Sequence, residues 1–158
     1  MNKLFPKEAL KERLDKLHQA GQTIVFTNGC FDILHVGHVR YLREAKKLGN
    51  VLVLALNSDA SVRAIKGEKR PLVPEDERAD IMAALESIDY VILFDDPTPQ
   101  GLIEYLQPDI LVKGGDWAEE AIAGADFVKA AGGRVVTIPL TEGRSTTNIV
   151  EKIRQVYG

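Results

Sequence analysis

Short apolar runs alternate with amphipathic segments along the chain, and this alternation limits the folds that the sequence can adopt. The runs QTIVFT, VLVLAL and RVVTI are rich in β-branched and aliphatic residues, as are strands that are buried on both faces of a sheet. The segments between the runs space their apolar residues as amphipathic helices do. Strands that alternate with helices favour a parallel sheet that is covered by helices on both faces.

We therefore predict an α/β fold of the Rossmann-like, doubly wound type, with about five parallel strands and helices on both faces. The predicted strands are 22–27, 51–56, 90–94, 110–113 and 134–138, and the predicted helices are 4–20, 36–48, 58–65, 75–87, 99–106, 122–131 and 145–156. Residues 1–21 add an N-terminal helix to a core of residues 22–158, so we predict a single domain for the 158 residues.

Local signals mark some of the boundaries between these elements. Asn28 and Gly29 are predicted to turn the chain after the first strand. Ser58 or Asp59 is predicted to cap the third helix and Ser145 the last one, because such side chains accept hydrogen bonds from free backbone N–H groups. Ligands of doubly wound sheets bind beyond the carboxyl ends of the strands, where the strand order reverses. Residues that follow the strands are therefore the candidates for a functional site.

Composition and charge argue against several classes of protein. The net charge of −3 provides no basic field that would attract nucleic acid or a membrane surface. Cys30 is the single cysteine, so an internal disulfide is excluded. The N-terminal segment is charged and amphipathic, unlike a signal peptide, and no apolar stretch approaches transmembrane length. We expect a cytoplasmic protein that binds neither nucleic acid nor membranes.

The segment TNGCFDILHVGHVRY at 27–41 concentrates residues that suit phosphate chemistry. His35 and His38 share a face at the start of a predicted helix, and Gly37 lets a phosphate approach the backbone. A helix N-terminus binds anions, and imidazole donors there would stabilise a phosphoryl oxygen that gains charge. Two alternatives remain open. One histidine could cap the helix while the other packs in the core, or the pair could bind a metal, although no nearby Cys or His completes a ligand set.

The residues HVGH at 35–38 resemble the H-x-G-H signature of the nucleotidyltransferase superfamily, and GCFDILH at 29–35 resembles the form found in its cytidylyltransferase-like branch. The resemblance continues through KGEKRP at 66–71, KGGD at 113–116 and EGRSTT at 142–147. Together the motifs span about residues 22–153 and are most similar to the heptose 1-phosphate adenylyltransferases of lipopolysaccharide synthesis. This resemblance implies transfer of AMP from ATP to D-glycero-β-D-manno-heptose 1-phosphate, giving ADP-heptose and pyrophosphate.

The resemblance also implies roles for individual residues. His35 and His38 would stabilise the α-phosphate and the leaving pyrophosphate, and Lys66 would neutralise phosphate charge. The implied nucleotide-binding residues are Asn28, Gly29, Cys30, Phe31, Asp32, Gly37, Lys113, Gly115, Asp116, Glu142, Ser145, Thr146 and Thr147. Arg70 and Arg78 are further candidates for the phosphate of the second substrate. Mg²⁺ is expected to accompany ATP, and no metal ligand is assigned.

Several of these residues have an alternative interpretation. Lys66 and Arg70 could be solvated loop residues, and Trp117 could be a packing residue rather than a contact of the nucleotide. Ser145 would cap the last helix in any case. Asp32 could either orient the histidines or lie near the magnesium.

A second family of the same superfamily, the glycerol-3-phosphate cytidylyltransferases, is an alternative interpretation of the sequence. These enzymes use CTP. Those enzymes typically have two arginines where this chain has Glu86 and Leu140. Neither residue can replace a guanidinium fork on phosphate, so we favour ATP over CTP. A non-catalytic nucleotide-binding module on the same fold is the other alternative. By analogy with relatives we expect a homodimer, and we expect a heptose kinase on a separate chain as the pathway partner.

Overall fold

The central strands of the molecule are buried on both faces, as their apolar sequences require. The structure is a computed structural model that describes residues 2–115 and 117–158. The strands are β1 (Ile24–Gly29), β2 (Val51–Asn57), β3 (Tyr90–Phe94), β4 (Ile110–Gly114) and β5 (Arg134–Ile138). All residues of β2 are buried, which explains its uninterrupted apolar run.

The five strands form one parallel sheet in the order β3-β2-β1-β4-β5. Strands β2 and β3 extend the sheet on one side of β1, and β4 and β5 extend it on the other. The connections therefore reverse direction between β1 and β4, which opens a crevice at the carboxyl ends of these two strands. The predicted doubly wound, five-stranded parallel sheet is confirmed.

The described part of the chain contains seven α-helices. They are α1 (Lys7–Gln19), α2 (Val36–Lys46), α3 (Asp59–Lys66), α4 (Glu75–Ala83), α5 (Gln100–Leu106), α6 (Ala125–Ala130) and α7 (Thr146–Tyr157). Apolar residues of α1, α5 and α6 pack on one face of the sheet, and those of α2 and α4 pack on the other. Among the described residues, no helix is both long and apolar enough to cross a membrane.

The N-terminal segment departs from the prediction. Helix α1 begins at Lys7 rather than at residue 4, because Leu4 forms a parallel bridge with Val91 of β3. The Phe5 N–H donates to the Val91 carbonyl at 3.0 Å. Pro6 explains the break, since a residue that precedes proline disfavours the helical conformation. The segment therefore covers the outer edge of β3, which would otherwise offer unpaired backbone groups.

Several other boundaries were also predicted wrongly. Asn28 and Gly29 do not turn the chain but end β1, where they pair with β2. Helix α4 ends at Ala83, so that the following residues can return to the sheet. Helix α6 begins at Ala125, because Gly124 adopts a φ of +85° that cannot continue a helix. The predicted caps are confirmed, since Ser58 and Ser145 each accept a backbone N–H bond.

Candidate active site

A cleft of about 750 Å³ lies beyond the carboxyl ends of β1 and β4. The sequence-predicted residues that line it are Asn28, Gly29, Cys30, Phe31, Asp32, His35, His38, Lys66, Arg70, Lys113, Ser145, Thr146 and Thr147. Gly37 lines an adjoining space of about 350 Å³. The fold thus brings the four separate motifs of the sequence to one place, at the point where the strand order reverses.

Three of the predicted nucleotide-binding residues lie elsewhere or outside the described residues. Gly115 is not part of the cleft wall; with a φ of +94° it turns the chain after β4, and its N–H donates to the Ile138 carbonyl. Glu142 is exposed on the loop before α7. Asp116 lies outside the described residues.

His35 serves both as a helix cap and as a wall of the cleft. Its Nδ1 accepts a hydrogen bond of 3.1 Å from the Gly37 N–H at the start of α2. A Cβ atom on residue 37 would lie 2.9 Å from the His35 ring, so glycine is required for this approach. With Nδ1 accepting, the neutral ring carries its proton on Nε2. Burial lowers the pKa of His35, which favours this neutral form.

His38 stacks on His35, with ring centroids 3.8 Å apart and an angle of 26° between the ring planes. Burial, and next the proximity of His35, lower the pKa of His38 to about 4. Both imidazoles are therefore uncharged near neutral pH, and a neutral imidazole has one N–H group that can donate a hydrogen bond. Among the described residues, His38 Nδ1 is the one buried side-chain polar atom without a hydrogen-bond partner.

Positive charge reaches the cleft from three directions. Lys66 ends α3, Lys113 lies near the end of β4, and Arg144 precedes α7. Burial lowers the pKa of Lys113, and the nearby charge of Lys66 lowers it further. The Lys113 ammonium also lies 5.3 Å from the centroid of the Trp117 ring, a cation–π contact. A cleft of this kind attracts a polyanion such as a triphosphate.

Asp32 is buried and holds the loop that carries Arg70. Its carboxylate accepts hydrogen bonds from Arg70 Nε at 2.6 Å and from the N–H groups of Leu72 and Val73 at 2.9 Å. Burial favours a higher pKa for this carboxyl, yet these hydrogen bonds outweigh it and leave the Asp32 pKa below its ordinary value. The sequence left two roles open for Asp32, and the structure gives it a third, because it attaches the loop to the cleft.

Arg78 lies beneath the cleft wall rather than on its surface, with only 1% of its surface exposed. Its guanidinium donates to the carbonyls of Val73, Cys30 and Asn57 and to the Asp59 carboxylate. These oxygens occupy the donors that a phosphate would need, so the prediction of a phosphate contact at Arg78 finds no support. The residue instead joins the ends of β1 and β2 to the loop before α4.

The N-terminus of α7 forms part of the cleft wall. Ser145 Oγ accepts from the Asn148 N–H at 3.0 Å, and Thr146 Oγ1 lies 3.5 Å from the Ile33 carbonyl. Thr147 is exposed to the cleft. Capping and cleft lining are thus combined in Ser145, as they are in His35.

Sequence reasoning missed two residues that shape the cleft. Asn57 is a buried polar residue that ends the apolar run of β2, and its amide donates to Ser61 Oγ at 3.0 Å. Tyr41 lies one turn beyond His38, with its hydroxyl 2.6 Å from Thr27 Oγ1 and 3.3 Å from the Val112 carbonyl. Burial raises the pKa of Tyr41 to about 12. A polar residue at the end of an apolar strand was the available signal for Asn57.

The sequence of the chain matches the cytidylyltransferase-like family over residues 26–152. The chain therefore belongs to the cytidylyltransferase-like family, and it is a nucleotidyltransferase. The match includes the stacked histidines, both lysines and the start of α7, so the family assignment and the geometry of the cleft agree.

Two similar relatives share the name bifunctional protein HldE. The protein of Syntrophotalea carbinolica is 56% identical over 99% of this chain, and that of Geobacter metallireducens is 62% identical over 87% of it. The matches cover 32% and 28% of those proteins, so the chain spans about a third of the length of these curated relatives.

A solved structure has the same fold. The lipopolysaccharide core biosynthesis protein of Thermoplasma volcanium superposes with a TM-score of 0.62 and is 29% identical. The superposition covers 78% of this chain and 100% of that protein.

Proposed function

We propose that the chain transfers AMP from ATP to a sugar 1-phosphate, D-glycero-β-D-manno-heptose 1-phosphate, and releases pyrophosphate. The observation that carries this proposal is the stacked pair of His35 and His38 at the start of α2, inside a cationic cleft. Two further arguments support the choice of substrate: the motif resemblance to heptose 1-phosphate adenylyltransferases and the names of the similar proteins.

The chemistry follows from neutral donors beside fixed positive charge. An oxygen of the sugar phosphate forms a bond to the α-phosphorus of ATP, the bond from that phosphorus to the bridging oxygen breaks, and pyrophosphate leaves. Nucleophile and leaving group are both phosphates that are ionised near neutral pH, so the step requires no proton transfer. Neutral imidazoles are therefore sufficient for this step, because they can donate hydrogen bonds to the phosphoryl oxygens as negative charge develops there. Lys66 and Lys113 offset the charge of the triphosphate.

Mg²⁺ is proposed to arrive with the nucleotide. Among the described residues, no three His, Cys, Asp or Glu side chains cluster as a metal site. The Asp32 carboxylate, which lines the cleft, is already bonded to the Arg70 loop. Mg²⁺ commonly keeps several waters and binds substrate phosphates, which suits a cleft that offers few protein ligands. The ion would shield the triphosphate charge when bound.

The preference for ATP is proposed from the wall of the cleft near β4. Leu140 lines the cleft with 66% of its surface exposed, and Trp117 stands beside it with 49% exposed. Leucine offers an apolar face where a cytidylyltransferase has an arginine fork, so it cannot hold phosphate.

The homodimer and the heptose kinase partner also remain proposals. The similar proteins are described as bifunctional and are about three times as long, which supports a second activity on the same chain in those proteins.

Pyrophosphate release tests the proposed function directly. ATP and CTP are each combined with heptose 1-phosphate and with glycerol 3-phosphate. We expect turnover with ATP and heptose 1-phosphate. Turnover with CTP and glycerol 3-phosphate would instead establish the cytidylyltransferase alternative, and nucleotide binding without turnover on any pair would indicate a binding module.

A separate experiment tests whether the AMP group is transferred directly, without a covalent enzyme intermediate. The described residues of the cleft supply donors and cations but no activated nucleophile with a base and an orienting carboxylate, so we predict a single displacement. ATP made chiral at an α-thiophosphate should therefore react with inversion at phosphorus. Retention would require two displacements and a covalent enzyme intermediate.

A further inference from the structure

Phe31, which lines the cleft, has an unusual backbone conformation. Its φ is 46°, in the left-handed region that phenylalanine rarely adopts. In this conformation the ring folds back over Gly29, where a Cβ atom would lie only 2.7 Å from Phe31 Cε2. A strained residue thus lies beside a glycine whose missing side chain makes room for the ring. Backbone strain of this kind is concentrated at functional sites.

The Phe31 ring is in contact with His38. Its centroid lies 4.8 Å from that of His38, with an angle of 57° between the planes. His38 is also stacked on His35 at 3.8 Å, so two aromatic rings enclose it. Phe31 itself is buried, with 9% of its surface exposed. Most of the surface of this side chain is therefore in contact with other protein atoms, and little of it faces the open cleft.

We propose that Phe31 is a positioning residue for His38, and that its ring keeps the imidazole in place and uncharged for phosphoryl transfer. This inference rests on the proposed function and deepens it, because it states how the site holds its central donor. It differs from the role suggested by the sequence, in which Phe31 contacts the nucleotide.

The surroundings of His38 support this role. Its Nδ1 is buried without a hydrogen-bond partner among the described residues, so Nε2 is the nitrogen left for a ligand. The titratable and charged groups around the ring come from every side of the cleft: Cys30, Asp32, His35, Tyr41, Lys66, Arg70, Lys113 and Arg144. Asp32 is the one carboxylate in this set, and the Arg70 loop occupies it. Burial of the ring is thus the main cause of the lowered pKa of His38, and the nearby His35 lowers it further.

The first experiment follows the ionisation of His38 in the free protein by ¹⁵N NMR of its imidazole. In the wild type His38 should titrate near pH 4. In Phe31→Ala its pKa should move toward the ordinary value of 6.5, because water reaches the ring. Phe31→Tyr keeps the ring and should leave the titration unchanged. Phe5→Ala removes a partly buried phenylalanine that packs on Tyr90, far from the cleft, and serves as the matched control. It should lower stability without moving the His38 titration.

Folding is checked by circular dichroism for each variant. If Phe31→Ala does not fold, Phe31→Gly takes its place, since glycine accepts the positive φ while it also removes the ring. A folded variant without the ring whose His38 still titrates near pH 4 would overturn the proposal. No substrate is needed for this experiment, so its outcome is independent of whether the proposed function is correct.

Kinetics give the second readout. A positioning role predicts that Phe31→Ala lowers kcat on the order of tenfold, while KM for ATP changes little. A direct contact with the nucleotide predicts the reverse, a raised KM with kcat nearly unchanged, and that result would also overturn the proposal. Phe31→Tyr should restore kcat.

Discussion

The two edges of the sheet carry their polar residues in opposite arrangements. At the amino edge, side chains are bonded to the starts of the strands. Asp109 Oδ2 accepts from the Ile24 N–H of β1 at 2.7 Å. Asp89 Oδ2 accepts in the same way from the Leu52 N–H of β2 at 2.7 Å and from Lys46 at 2.6 Å. These carboxylates have protein partners on the backbone, and they complete the fold.

At the carboxyl edge, several groups lack such partners. His38 Nδ1 is buried without a hydrogen bond in the described structure, burial lowers the pKa of Lys113, and Phe31 has a strained backbone. One edge thus uses its polar groups for stability, and we propose that the other presents groups such as His38 Nε2 and Lys113 to a ligand. Asp32 and Arg78 are among the exceptions at the carboxyl edge, since both are buried and bonded to the loops that frame the cleft.

The largest effect is expected for a change at the carboxyl edge. If His38 donates mainly in the transition state, His38→Ala should lower kcat on the order of 10²–10³-fold and weaken ATP binding far less. The melting temperature should change little, because the ring is only half-buried. Steady-state kinetics, ATP titration and thermal unfolding of the same preparation measure the three quantities. A destabilised protein with near-normal kcat would remove the functional distinction between the two edges.

A change at the amino edge should have the opposite pattern. Asp109→Ala leaves the Ile24 N–H without its acceptor and removes the contact with His18. We expect a loss of about 1–3 kcal/mol in the free energy of unfolding, measured in urea, with kcat of the folded enzyme unchanged. Asp109→Asn is the matched control, because it retains an oxygen acceptor and should lose less. A large fall in kcat for either variant would mean that the amino edge takes part in catalysis.

A third prediction concerns the dependence of stability on pH. The pKa of His38 falls from 6.5 to about 4 on folding, so the unfolded chain binds more protons than the folded one in this window. Stability should therefore fall as the pH is lowered from 6.5 to 4, and His35 should act in the same direction. His38→Gln should flatten this part of the profile of melting temperature against pH. An unchanged slope would show that His38 is already open to water in the folded state.

Much of the fold could be predicted because its signals are local. The bounds of β3 and β5 were predicted correctly, since apolar runs between turn residues identify buried strands without knowledge of their neighbours. The start of α1 was not, because the bridge between Leu4 and Val91 joins segments that are distant in sequence. Such a pairing between distant segments overrides the local preference for a helix, and no local sequence pattern predicts it.

The site was predictable to the extent that its residues follow strands or begin helices. His35, Lys113 and Ser145 were placed at such junctions, and the parallel sheet brings them to one edge. The role of Arg78 could not be predicted, because a charged residue on a helix is usually exposed and its burial depends on three carbonyls from separate segments. Tyr41 was missed for the same reason, since its partners lie on β1 and β4.

The most direct test of the difference between the two edges is to follow backbone amide resonances by NMR while a non-hydrolysable ATP analogue and Mg²⁺ are added. We predict shifts at the carboxyl edge, at residues such as Gly37, His38 and Lys113, which line the cleft or the space that adjoins it. Residues of the amino edge, such as Thr23, Asp109 and Arg134, should stay unchanged. Shifts confined to the amino edge, with Gly37 and His38 unaffected, would contradict the assignment of the active site.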